Sequence, residues 1–552
     1  MGVLTRVDGP LVEVCGLPEA GMFTLVGLGT AGIPGEVVAI RGDSATVQAY
    51  EYTGGLAPGD PAEAYGEPLS APLGPHLLGG VFDGLLRPLT DAGTWLTAVR
   101  SAPRPKEWRF TPAVPQGHEL GAGEPVGTVE GAGAVPYAVL TPVPGRVTAI
   151  RPPGRCAPDV PVASVGDRDI TLCRRRPVRS PAPYRERLEE LVPLVTGQRV
   201  VDLLLPVPRG GAAAVPGGFG TGKTVLLQQI AKWCDADVVV YVGCGERGNE
   251  MADVVAELAE LTDPRTGGRL ADRTVVIANT SNMPMMAREA CVHTAMTVAE
   301  HFRDMGCDVV VIADSTSRWA EARREFASRH GELPAEEGYP ADLASALAAF
   351  YERAGRVTTL GGRIGSVTVI GAVSPPGGDM TEPVTTLTQR FVRCLWSLDR
   401  DLAYSRHYPA VSWASSFARD ADTLAGWYAR HGIPGWGERR RRVASILAEA
   451  DRLGLLAELV GAESLPAHER VALLAGRMLR EGVLRQSALS AVDAFSAPER
   501  TAALTDGILA AIAECEAMAA RGVPAEEIEG RDFSRLLRAK EQRAGPGAAG
   551  PG

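Results

Sequence analysis

Hydrophobic positions change their spacing three times along the chain. Near the N-terminus they alternate: Val12 and Val14 stand on either side of Glu13, and "GEVVAI" and "ATVQAY" flank the turn "RGDS". Period-two runs around a tight polar turn predict a hairpin. Gly and Pro break this region roughly every 8–12 residues, a spacing that predicts a small β-barrel over residues 1–70. Residues 71–109 form a connecting stretch that ends in "KEWRF". Strand-like pieces return in "EPVGTVE", "RVTAIR" and "DITLC", separated by "GAGAVP" and "RPPGR", and place a second β-rich module at 110–185. The basic run Cys173–Arg179 within it is expected to be a solvated patch.

From about residue 195 the apolar residues come in unbroken runs. "GAAAV", "DVVVYVGC", "TVVIANTS" and "CDVVVIADSTS" are too uniformly apolar for strands with one wet face, so both faces are covered. "TVLLQQIAKWC", "MADVVAELAEL" and "REACVHTAMTVAEHFRDMG" between them carry helical spacing. Alternating buried strands and helices predict an α/β domain with a mostly parallel sheet over 186–430. Beyond it Val443, Ile446, Leu447, Ala450 and Leu453 recur three and four apart, which predicts a helical domain over 431–540. "ERRRR", Glu438–Arg442, should open a solvated helix face there. The tail 541–552 is rich in Gly, Pro and Ala, has nothing to bury, and is expected to be disordered.

A length of 552 residues exceeds one core and agrees with this multidomain α/β reading. Aromatic residues are only 5%, so Val, Leu and Ala must fill the interiors. A net charge of -10 argues against a chain that grips a nucleic-acid backbone. Nine cysteines without a CxxC pair suit a reducing cytosol better than a disulfide framework or a zinc site. The N-terminus carries no signal-peptide pattern, and no apolar run approaches the roughly 18 residues that span a bilayer. Any link to a membrane is expected to run through partners.

The candidate chemistry begins at Gly217. The run Gly217, Gly218, Phe219, Gly220, Thr221, Gly222, Lys223, Thr224 fits the phosphate-loop pattern G-x-x-x-x-G-K-[ST], and Val225 follows it in the quoted stretch "PGGFGTGKTV". Glycines let successive backbone N–H groups converge on one anion, and the helix that follows turns its positive end toward it. Lys223 would reach the β- and γ-phosphates, and the Thr224 hydroxyl would ligate Mg²⁺. Asp314 ends the run "VVVIAD" and suits a second Mg²⁺ partner; as the residue before "STS" it also suits a helix N-cap. Glu246 follows "VVVYVGCG" at another strand end, where a carboxylate can orient or deprotonate water. Arg247 beside it could offset charge on a transferring phosphate, although "GERGNE" alone is also an ordinary polar loop.

Together "GGFGTGKTV", "GERGNEM", "NTSNMPMMAREA", "ADSTSRWAEA", "FYERAGRV" and "GAVSPPGGDMTEPV" resemble the catalytic A subunits, or alpha chains, of V-type and archaeal-type rotary ATPases. "RVDGPLVEV", "GEPLSAPLGPHLLGGVFDGLLRPL" and "PVRSPAPYRERL" agree, so the resemblance covers residues 1 to about 430 closely and the helical end more loosely. It implies an N-terminal β-barrel, an inserted bulge domain at 110–185, a RecA-like P-loop core and a C-terminal helical bundle. It implies ATP or ADP with Mg²⁺ as substrate and cofactor. It also implies a ring of three such chains with three non-catalytic B subunits, which supply an arginine finger, and central and peripheral stalks. The membrane sector is reached only through those partners, which makes the expected location cytoplasmic and peripheral to a membrane, with proton or sodium movement coupled to turnover. Carried over by position, Gly217–Thr224 hold phosphates and metal, Glu246 handles the water, Arg247 sits near the γ-phosphate and Asp314 joins the metal shell. Tyr408 in "RHYPAVSW" matches an aromatic against adenine, though its own pattern also suits a core tyrosine. Leu489 in "LRQSALSAVDAF" stands where the family usually has a phenylalanine on the other face of the base, leaving apolar contact in place of stacking. Asp342 replaces a more typical tyrosine and has no assigned role.

Three alternatives make distinct demands. An F-type catalytic subunit or type III export ATPase would lack the long segment before the phosphate loop. A hexameric nucleic-acid translocase would need a basic, aromatic strand-binding surface. A non-catalytic ring subunit would not need Lys223 and Glu246 together.

Overall fold

The structure is a computed structural model that describes residues 1–90, 107–331 and 333–542. The sequence-predicted disordered tail lies, but for its first two residues, outside the described residues. The chain forms two compact units, one from Met1–Leu188 and Ala236–Gly371, the other from Glu189–Asp235 and Ala372–Gly552. The nine cysteines are free thiols. No helix among the described residues is long and apolar enough to cross a membrane.

The first unit begins with a closed six-stranded barrel. In the strand Leu11–Cys15 Val12 and Val14 point inward, and they join Leu4, Val26, Leu28, Val37 and Val47 in its core. The predicted hairpin is present: Ile33–Arg41 pairs antiparallel with Ser44–Ala49. Barrel closure leaves no free edge to pair with another chain. The β-rich module that follows contains two four-stranded sheets, built from short strands between Trp108–Pro112 and Arg168–Ile170.

The core of this unit is a parallel run in the order Ile364–Val373, Asp308–Asp314, Val238–Cys244, Thr274–Asn279 and Val81–Phe82. Every residue of Val238–Cys244 and of Thr274–Asn279 is buried, as their unbroken apolar runs require. The helix Met285–Asp304 covers this sheet.

The basic run Cys173–Arg179 differs from its expected solvated state. Arg179 spans two buried carboxylates, Glu36 of the barrel at 3.1 Å and Glu289 of the covering helix at 2.7 Å. Arg176 lies against Glu300 and Asp304 at 3.8 and 3.5 Å. Buried acids on distant segments hold these arginines out of solvent, and local composition does not show such partners.

The second unit combines the strands Ala212–Pro216 and Cys394–Leu395, which pair in parallel, with the C-terminal helices. Its longest helix, Trp436–Val460, buries Val443, Ile446, Leu447, Ala450 and Leu453, the stripe its spacing predicted. That face packs on Ala467–Leu479, which in turn packs on Pro498–Ala520. Burying each large aliphatic side chain stabilises the bundle by about 1.5–3 kcal/mol. The "ERRRR" segment is only partly solvated: Arg439 pairs with Asp506 at 2.6 Å, Arg442 with Glu516 at 2.7 Å, and Arg440 donates to the Leu204 carbonyl at 3.0 Å.

Candidate nucleotide site

In the second unit the fully buried strand Ala212–Pro216 leads into the glycine loop, and the helix Lys223–Trp233 leaves it. Gly220 and Gly222 take φ of 80° and 82°, left-handed values that other residues adopt only with strain. Gly217 donates its N–H to the Val373 carbonyl at 3.1 Å, and Thr221 donates its hydroxyl to the Gly218 carbonyl at 2.8 Å. These bonds fix the curl of the loop. No side chain caps the N-terminus of the following helix and no acid lies in its first turn, so its amides are suited to an external anion.

The ammonium of Lys223 turns back over the loop. It donates to the carbonyls of Gly217 at 3.4 Å and Val373 at 3.3 Å, and to the Ser374 hydroxyl. Phe219, Thr224 and Val225 are exposed. The ring of Tyr408 lies beside the loop: a Cβ added at Gly222 would come within 3.2 Å of its Cε1. Tyr408 is 42% exposed, so one part of the ring packs and another is free to meet a ligand. Leu489 is almost fully exposed.

A cavity of about 540 Å³ flanks the loop on the side of Gly218 and Thr221, and is also lined by Gly377, Gly378, Arg400 and Phe417. Arg400 lies close enough that a Cβ on Gly218 would stand 3.4 Å from its Nη2. Sequence reasoning assigned no role to Ser374 or Arg400. The only signal for the first was its place in "GAVSPPGGDMTEPV", and for the second there was none.

In the first unit Glu246, Arg247 and Asp314 gather at one sheet edge. Val238–Cys244 runs parallel to Asp308–Asp314 with Gly243 opposite Asp314, so both strands deliver acids at their carboxyl ends. Asp314 is 4% exposed and accepts the Tyr241 hydroxyl at 3.2 Å. Burial, then the charge of Asp314, push the Tyr241 phenol well above its ordinary range, so it stays a donor. Ser315 rather than Asp314 is the N-cap of the helix Thr316–His330, and makes no side-chain cap bond.

Glu246 is half-buried just after its strand, and its carbonyl accepts the Ser281 N–H at 2.9 Å. Gly245 bends the chain between them with φ of 72°. Arg247 precedes the helix Gly248–Glu260, its side chain 74% exposed and 4.0 Å from Glu250. Asp342 acquires a partner: Arg323 donates to it at 2.7 Å and to Glu289 at 3.0 Å. Among the described residues no group of three or more His, Cys, Asp or Glu could hold a metal ion by itself.

Four family models match the chain. The ATP synthase alpha/beta family nucleotide-binding domain matches residues 197–418, its beta-barrel domain 4–66, its barrel-sandwich domain 99–179, and the C-terminal domain of V and A type ATP synthase 425–517. The V-type ATP synthase alpha chain of Anaeromyxobacter sp. (strain K) is 50% identical over 99% of this chain and 97% of its own. The homologous chain of the A-type ATP synthase of Methanopyrus kandleri is 46% identical over 96% of this chain and 92% of its own. Among solved structures, the assembled ATPase EscN from the type III secretion system of enteropathogenic E. coli aligns with a TM-score of 0.68 at 21% identity. That alignment covers 92% of this chain and all of EscN, and it is a likeness of fold.

Proposed function

The chain belongs to the V- and A-type ATP synthase alpha-chain family, and on that premise we propose how its residues, a metal ion and its partners divide the reaction. It is the catalytic subunit of a rotary ATP synthase, an enzyme that makes or hydrolyses ATP within a multi-subunit, membrane-associated complex.

Gly217–Val225 cradle the phosphates, with backbone amides and the Lys223 ammonium on the β- and γ-oxygens. Tyr408 lies against one face of the adenine and Leu489 against the other. Glu246 aligns the attacking water and takes its proton on the carboxylate. Arg247 offsets charge that grows on the γ-phosphate.

Thr224 and Asp314 offer a hydroxyl and a carboxylate, oxygen donors that suit magnesium. Bound there, magnesium would neutralise charge across the β- and γ-phosphates. A neighbouring non-catalytic B subunit supplies an arginine finger, worth roughly 10³–10⁵ in rate. Central and peripheral stalk subunits pass the motion on to a membrane sector that moves protons or sodium ions.

The observation that carries this reading is the loop itself: left-handed glycines open an uncapped helix beneath a lysine anchored by two carbonyls and a hydroxyl. The test compares the chain alone with the chain assembled with its B subunit. The isolated chain should bind MgATP and turn it over slowly, and assembly should raise turnover by at least ~10³. Fast hydrolysis by the monomeric chain would reject the shared site.

A further inference from the structure

We propose that Gln486 is a positioning residue for the base side of the nucleotide site. It does so by tying together the segments that carry Tyr408 and Leu489. The proposal rests on the nucleotide reading above and adds a residue to it.

Gln486 is 3% exposed and follows the turn Arg480–Leu484 at the end of the Ala467–Leu479 helix. Its backbone N–H donates to the Tyr408 carbonyl at 2.8 Å. Its side-chain Oε1 accepts the Arg199 N–H at 2.8 Å, and its Nε2 donates to the carbonyls of Gly197 at 2.8 Å and Ala494 at 3.2 Å. The helix Arg199–Leu204 has no cap from its own N-cap residue, so Gln486 supplies an acceptor from outside. Both amide hydrogens are used, and each bond ends on backbone.

Arg199 reinforces the same joint. It is fully buried, donates to the carbonyls of Val483 at 2.5 Å and Arg485 at 2.9 Å, and pairs with Asp493 at 2.7 Å. Asp493 accepts the Ser487 N–H at 2.8 Å and so closes the loop that exposes Leu489. Gln198 donates to the Ala494 carbonyl at 3.1 Å.

Tyr408 and the Leu489 loop therefore share one buried anchor. Lys223 has a separate one, on Gly217, Val373 and Ser374. Removing the Gln486 amide takes the acceptor from the buried Arg199 N–H and one of two donors from each of the Gly197 and Ala494 carbonyls, which the loop relieves by shifting. Contact with the base should suffer and contact with the phosphates should not.

The experiment measures binding of MgATP and of magnesium tripolyphosphate, which has no base, to the full chain and to Gln486→Met. The dissociation constant for MgATP should rise about tenfold while that for tripolyphosphate stays within about twofold. Amide exchange across residues 485–494 should quicken. Equal weakening of both ligands, or of neither, overturns the proposal. Gln486→Glu keeps the acceptor for Arg199 but loses both donors; if Gln486→Met does not unfold cooperatively, this variant is judged by the same two constants. Tyr408→Ala separates the premise from the inference: if it leaves MgATP affinity unchanged, the base contact is wrong, and the role of Gln486 falls with it.

Discussion

The ammonium of Lys223 donates to the carbonyl of Val373 at 3.3 Å, although 150 positions separate them in sequence. Together with the Gly217 carbonyl and Ser374, this bond holds the cation over the loop where phosphate oxygens are expected. Charge-assisted bonds of lysine to phosphate contribute about 1.5–3 kcal/mol each. Lys223→Ala should weaken MgATP by about 100-fold in calorimetric titration. Ser374→Ala should change it by less than about threefold, because phosphates replace the hydroxyl as acceptor.

Glu246→Gln keeps the shape of the side chain and removes its basicity. In the assembled complex this variant should bind MgATP with near-normal affinity and hydrolyse it about 10²–10⁴ times more slowly. A single-turnover measurement separates the two effects, and near-normal hydrolysis would remove Glu246 from the chemistry.

The acids around Arg179 should differ sharply in their importance. Glu289 is buried, and although burial alone would raise its carboxyl, Arg179 and His293 hold it well below the usual range. Glu289→Gln leaves Arg179 and Arg323 short of a charge partner and should destabilise the first unit by about 3–5 kcal/mol. Asp342 is 63% exposed in its pair with Arg323, and Asp342→Asn should cost no more than about 1 kcal/mol. Urea unfolding of both variants measures the contrast.

Two buried groups of the second unit push its pH dependence in opposite directions. Burial lowers His407 to about 4, below its unfolded value of about 6.5. The unfolded chain then binds the extra proton first, so stability present above pH 6.5 is lost as pH falls toward 4, by at most about 3 kcal/mol. Burial raises Asp202 to about 7 against the hydrogen bonds of Thr196 and Gly197. Its contribution is present below about pH 4 and is lost as pH rises through 7, by at most about 4 kcal/mol. His407→Phe should remove the loss on the acid side, and Asp202→Asn the loss toward neutrality, in unfolding curves between about pH 4.5 and 7.5.

Features written in consecutive residues were legible in the sequence. The alternation at Val12 and Val14, the stripe from Val443 to Leu453 and the phosphate-loop pattern each depend on neighbours a few positions away. Asp314 stood out because it ends an apolar run, although only the folded chain shows Ser315 taking the cap position beside it. What stayed hidden depends on partners far along the chain. Arg179 finds Glu36 and Glu289, Asp342 finds Arg323, and Lys223 finds Ser374. A charge pattern read locally looks solvated until the fold brings the opposite charge to it.

The second unit is built from two stretches of chain, Glu189–Asp235 and Ala372–Gly552, with the rest of the first unit's core encoded between them. On the ribosome, the glycine loop therefore emerges long before the carbonyl and hydroxyl that steady its lysine. A nascent chain halted ahead of Val373 would carry the whole phosphate-loop pattern without its anchor. Competence to hold a nucleotide should thus be acquired late in translation, after the interrupting segment has been made.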